Sequence, residues 1–118
     1  MSYVQGFVLA VPTDRNEEYI AMARAGWPLF RAYGALEMAE NWGEDVPEGK
    51  VTSFPMAVKR ADGETVVFSW IIWPDKASAD ACAASMGTDP RWNDLPDMCF
   101  DGKRMIWGGF VPVYSARA

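Results

Sequence analysis

Residues 64–73, ETVVFSWIIW, are apolar at nearly every position. Val66, Phe68, Trp70 and Ile72 stand on one parity, and Val67, Ile71 and Trp73 on the other. A β-rich run bounded by Asp62-Gly63, a turn signal, predicts a strand. YVQGFVLAV, residues 3–11, has the same two-sided character and stops at Pro12, with Phe7, Leu9 and Val11 against Val4, Val8 and Ala10. Residues 35–42 alternate Leu36, Met38, Glu40 and Trp42 against Ala35, Glu37, Ala39 and Asn41, which reads as a further strand. Ile20, Ala23, Trp27 and Phe30 recur at helical spacing and predict a helix over 14–33 with its apolar stripe through those four. Asp14 and Glu17 suit a capping arrangement at its start, and Gly34 suits a C′ glycine at its end. Asp75 is placed to cap an alanine-rich helix over 75–87, and a helical turn is predicted at Pro90 to Asp94. The segment TSFPMAVKR reads two ways, as a short helix capped by Ser53 or as an extended arm.

FDGKRMIWGGFVPV, residues 100–113, raises the question of a phosphate loop, because it holds glycines beside Lys103 and Arg104. A P-loop requires GxxxxGK[ST], and a dinucleotide loop requires GxGxxG leading into a helix. Neither pattern is present. Asp101-Gly102 is the turn into a final strand over 104–113, in which Gly108 and Gly109 mark a bulge or a close backbone approach.

The order β-α-β-(insert 46–63)-β-α-β predicts an α+β fold in one domain, 1–118: a ferredoxin-like split βαβ unit with an antiparallel sheet. The first and third strands belong at its centre and the last at an edge, where Pro112 costs no ladder bond. Both helices then cover one face, yet the central strands are apolar on both. The surplus predicts a second cover, either another copy of the chain packed sheet to sheet or the 46–63 insert folded over the open face.

Composition narrows the function. The 118 residues include no histidine, which excludes Ser-His-Asp and Cys-His nucleophile systems and imidazole metal sites. No EF-hand-like acidic pattern appears, so neither metal nor cofactor is expected. A formal charge of −5 argues against nucleic acid or an anionic membrane as partner. No apolar run approaches the roughly 18 residues of a membrane span, and the N-terminus lacks a basic region of the signal-peptide kind. Cys82 and Cys99 form no CxxC motif, which suits free thiols in a reduced cytoplasmic protein.

YVQGFVLAVP, NWGEDVPEGKVTSFPMAVK, ETVVFSWIIWP and FDGKRMIWGGF together resemble the YbaA-like family of small bacterial proteins, a domain of unknown function. The resemblance spans nearly the whole chain, and the last motif is the most specific. It implies the dimeric α/β-barrel superfamily, which includes antibiotic-biosynthesis monooxygenases. It implies no activity.

Candidate site residues follow from the fold. Gln5 and Ser69 are uncharged polar side chains on the central strands. They either orient a ligand between sheet and helices or hydrogen-bond within the protein. Trp42, Trp70, Trp73 and Trp107 form either an aromatic wall for a planar compound or core and interface. Glu40, between Met38 and Trp42, is a candidate general base with a raised pKa, or the partner of Arg104 or Lys103 in an ion pair. Tyr33 and Arg31 gate a pocket mouth or stay solvated. Two functions remain open. The first, slightly favoured, is a dimeric small-molecule-binding or structural module. The second is a cofactor-independent enzyme of the antibiotic-biosynthesis-monooxygenase type, acting on a planar aromatic or quinone-like compound. An open cavity of mixed polar and aromatic lining would favour the enzyme, and a fully packed interface between sheet and helices the module.

Overall fold

The two apolar runs lie side by side at the centre of one sheet. In the computed structural model, which describes residues 2–118, β1 (Tyr3–Pro12) and β3 (Glu64–Trp73) pair antiparallel along their full length. β2 (Glu37–Trp42) flanks β3 and β4 (Ile106–Phe110) flanks β1, giving the order β2-β3-β1-β4 with every pairing antiparallel. α1 (Asn16–Ala32) and α3 (Lys76–Ser85) cross one face, and the four-residue α2 (Phe54–Ala57) lies in the insert. This is the α+β, ferredoxin-like arrangement expected, with the first and third strands central. Among the described residues no helix is long and apolar enough to cross a membrane.

Parity decides which side chains meet the helices. Leu9, Val11 and Val67 pack with Tyr19 and Cys99, while Ile71 and Trp73 pack with Ala35, Ala79 and Cys82. Burying each of the larger of these side chains contributes roughly 1.5 to 3 kcal/mol. The alanines and Cys82 on α3 let that helix sit close to the strands, and Asp75 caps it by accepting from the Ser78 amide at 2.8 Å.

α1 departs from expectation at its start and in its phase. A short 3-10 turn, Thr13–Arg15, leads into the helix, and no side chain caps it, so Asp14 does not serve as N-cap. The buried line runs through Tyr19, Gly26 and Leu29, while Ile20 is 45% exposed. Ala23, Trp27 and Phe30 still face inward, half-buried, so the stripe widens toward Tyr19 and fails at Ile20, because burying the Tyr19 ring lets its hydroxyl reach an acceptor on β2. The far end follows expectation. Gly34 has φ +106°, and the amides of Gly34 and Ala35 donate to Arg31 and Phe30, the bond pattern of a Schellman close.

The insert resolves the other ambiguity of the sequence. Ser53 accepts from the Met56 amide at 3.1 Å and caps α2, so the short helix forms rather than an extended arm. Val58 from this segment, with Val46 beside it, buries Val8, Ala10 and Val66 on the sheet face away from α1 and α3. The insert thus covers one end of the open face and stops there. At the other end Val4, Phe68, Trp70, Ile72 and Phe110 border an apolar groove of about 450 Å³.

β4 is shorter than the 104–113 expected. Gly102–Arg104 forms a 3-10 turn capped by Asp101, and Pro112 lies beyond the strand. Its register with β1 is continuous through Gly108 opposite Gly6 and Gly109 opposite Gln5, so the glycines mark no bulge. Gly109 is a close-approach position: a Cβ there would run into the Tyr3 hydroxyl.

Candidate functional site

The sheet and the helices do not pack solidly against each other. A cavity of about 300 Å³ opens between the floor of β1, β3 and β2 and the lid of α1. Residues 92–100 close its side with Trp92, Leu95, Met98 and Phe100. Phe7, Phe30 and Tyr19 complete a largely aromatic wall, and Gly26 contributes only backbone bulk. Gly26 thereby keeps open space that a larger side chain on this face of the helix would fill.

Three polar side chains converge in this apolar space. Glu40 and Ser69 stand directly opposite each other across the β2–β3 ladder, and the Tyr19 hydroxyl donates to Glu40 Oε2 at 2.7 Å. Glu40 as a residue is exposed, since β2 is an edge strand and the cavity mouth is open. Its carboxylate is nonetheless crowded by protein atoms. Desolvation raises its pKa above the ordinary value, outweighing the opposite pull of the Tyr19 and Ser69 hydroxyls. Burial is also the main cause that pushes the Tyr19 phenol far above its usual range, with the Glu40 charge next. Tyr19 is thus a neutral donor beside a carboxylate that takes up a proton more readily than a solvated one. Among the described residues no Lys or Arg lines the cavity.

The expected partners of Glu40 lie elsewhere. Arg104 donates to Glu64 at 2.7 Å and to Asp101 at 3.0 Å. It precedes β4, at the opposite sheet edge from β2, so neither it nor the adjacent Lys103 bridges to Glu40.

The remaining candidates divide between two faces and two cavities. Gln5 accepts from the Trp73 indole N–H at 2.8 Å, and both line a second cavity of about 260 Å³ under α3, together with Trp107. Trp42 backs the Tyr19 ring, with centroids 6.4 Å apart. Trp70 lies on the far face of the sheet and donates to Glu37 at 2.9 Å, so the four tryptophans do not form one wall. Tyr33 donates to Asp89 Oδ2 at 2.6 Å and stacks on Trp92, which ties residues 89–92 to the end of α1. Arg31 is exposed.

Sequence reasoning missed Tyr19, Trp92 and Phe100. Tyr19 was legible in principle, since Met22, Ala23 and Gly26 follow it at i+3, i+4 and i+7. Trp92 and Leu95 carry a different signal: large apolar residues in a loop tend to pack back on the core, as these two do, half-buried, while Met98 at the cavity rim stays exposed.

The two thiols are poorly suited to nucleophilic chemistry. Both are free and buried, with burial pushing the Cys82 pKa up to about 11 and raising that of Cys99. Among the described residues no group of three or more His, Cys, Asp or Glu is placed to hold a metal ion.

Comparison with known proteins gives a family and a fold. Residues 2–102 match the family described as "Protein of unknown function (DUF1428)". The chain is 53% identical over 114 residues to the "Uncharacterized protein YbaA" of Escherichia coli (strain K12), covering 96% of this chain and 97% of that one. Two solved structures resemble it at the level of fold. One is a dimeric ferredoxin-like protein from an uncultured marine organism, with TM-score 0.57, 13% identity and 98% of each chain covered. The other is a point mutant of SnoaB, a cofactor-independent oxygenase from Streptomyces nogalater, with TM-score 0.56 and 14% identity over 97% of this chain and 95% of that one.

Proposed function

The chain belongs to the DUF1428 family, proteins of unknown function, and from that premise we propose that it binds a compact, uncharged, largely apolar molecule in the cavity beneath α1. The observation that carries this reading is the convergence of Glu40, Tyr19 and Ser69 within walls that are otherwise apolar and aromatic. Ligand sites combine apolar enclosure with a few placed polar groups, and about 300 Å³ suits a molecule of one or two rings. Glu40 offers acceptor capacity that Tyr19 does not exhaust, so the ligand carries a hydroxyl or similar donor. An anion is disfavoured, because it would meet a carboxylate and no cation.

5,6,7,8-Tetrahydro-2-naphthol is a suitable probe. Titration followed by tryptophan fluorescence is expected to show saturable binding that weakens roughly tenfold in Glu40→Leu, the scale of a hydrogen bond to a charged group. Absence of saturable binding, or equal binding by the variant, overturns the reading.

A second reading is catalytic, and the raised pKa of Glu40 favours it. A carboxylate poised to accept a proton can act as base without a cofactor, and one protein of similar fold, SnoaB, is described as a cofactor-independent oxygenase. The corresponding assay follows deuterium exchange from D₂O into the carbon next to the carbonyl of 2-tetralone. Acceleration by the protein that disappears in Glu40→Gln supports catalysis, and no acceleration leaves a binding module.

The assembly we infer is a homodimer formed through the groove on the open face. Phe68 is 45% and Phe110 60% exposed there, beside Val4, Trp70 and Ile72. A contiguous apolar patch on a β-sheet calls for a partner, and a solved protein of similar fold is described as dimeric. Two free thiols support a reducing, cytoplasmic setting, and the charge of −5 supports neither nucleic acid nor membrane as partner.

A further inference from the structure

Resting on that binding reading, we propose that the two cavities form one bipartite site, whose ligand carries a donor at the Glu40 end and an acceptor, such as a ketone oxygen, for the Gln5 amide at the other. The cavities adjoin: Phe7, Phe30, Ile71 and Met105 line both. Of these four only Met105 is long, unbranched and flexible, so the boundary can yield to a ligand.

The chemistry of Gln5 is fixed by its neighbour. An indole N–H only donates, so the Trp73 bond at 2.8 Å holds Gln5 with Oε1 toward the indole. The Nε2 donors are left over, and among the described residues no hydrogen bond engages them. The rest of the second cavity is apolar, with Ile71, Ala79, Cys82 and Met86 around it. One cavity therefore offers acceptor capacity at Glu40, and the other offers unengaged donors at Gln5.

Strand register sets the span between them. Gln5 pairs with Ile71, and Glu40 pairs with Ser69, so the two residues sit two strands and two positions apart on the same face. That spacing separates their backbones by about 12 Å. Side chains and hydrogen bonds of roughly 2.9 Å at each end leave a gap that a rigid, flat molecule of two fused rings bridges.

Three matched bicyclic probes test this: 6-hydroxy-1-tetralone with both groups, 5,6,7,8-tetrahydro-2-naphthol with the donor alone, and 1-tetralone with the acceptor alone. The hydroxyketone is expected to bind the unmodified protein roughly three- to tenfold more tightly than the naphthol, the range of one added neutral hydrogen bond. Gln5→Glu keeps an oxygen for the Trp73 N–H but replaces the amide donor by a carboxylate, and on the variant the hydroxyketone should bind no more tightly than the naphthol. Naphthol binding without any gain from the ketone, or a gain that survives Gln5→Glu, defeats the bipartite site alone. Failure of all three probes to bind removes the cavity reading and this inference with it. Should Gln5→Glu not fold, the comparison of probes on the unmodified protein still decides.

Discussion

Glu40 keeps its raised pKa because desolvation outweighs two hydroxyl partners, and this carries a sign for stability. A carboxyl whose folded pKa lies above its unfolded value stabilises the fold fully below the unfolded value and loses that contribution as pH rises through the folded one. Asp89 behaves oppositely. Hydrogen bonds from Arg91 and then Tyr33 lower its pKa, so its contribution is fully present above the ordinary carboxylate value and is lost progressively as pH falls from there through the lowered one. Glu40→Gln should therefore flatten the decline in melting temperature as pH rises from the ordinary carboxylate range to neutrality, read from thermal unfolding of both proteins. Parallel curves would show that desolvation of Glu40 is unimportant. At this scale the sequence pointed to Glu40 and Ser69 through their polar place in apolar strands. It did not reveal Tyr19, whose polar tip matters only once β2 is folded beneath α1.

Elements were most readable where a local signal sufficed. β3 forms over the residues its pattern marks, and Asp75, Ser53 and Gly34 act at helix ends as their types suggest. The phase of α1 was less readable, because Ile20 and Tyr19 both suit an apolar stripe and tertiary contacts choose between them. The cap on α3 is the element-scale test. Asp75→Ala removes the acceptor of the Ser78 amide and should cost about 1 kcal/mol. Thermal unfolding should register this as a loss of about 4 °C, with the far-ultraviolet spectrum unchanged at low temperature. No shift would mean that docking of Ala79 and Cys82 alone fixes that end.

For the whole molecule, the excess of apolar positions on two parities pointed to a second cover, and the insert supplies part of one. How far it reaches could not be read from the sequence, since that depends on where Val58 and Val46 land. The structure assigns the parity: Phe68 faces the groove, and Ile71 is 5% exposed beneath the helices. Phe68→Asp should give a folded protein of monomer mass by light scattering. Ile71→Asp should fail to fold, because it buries a carboxylate among Trp73, Ala79 and Cys82. A folded Phe68→Asp protein of unchanged mass, or an unmodified protein that is already monomeric, would contradict the open-face dimer.

The central pairing also bears on how the chain reaches this state. β1 and β3 join Tyr3 to Trp73 and Pro12 to Glu64, so the longest ladder in the sheet closes only after α1, β2 and the insert have been spanned. Such distant pairing places the entropic cost of chain closure ahead of the contacts that offset it, which slows folding. Until β1 arrives, β3 displays both of its apolar faces and an unpaired edge, the exposure that favours misassociation. β1, α1, β2 and the insert all precede β3 in the chain, so a nascent β3 emerges with its sheet neighbours already made and α3 and β4 following. The interval in which this sheet is vulnerable is therefore set by the docking of one strand.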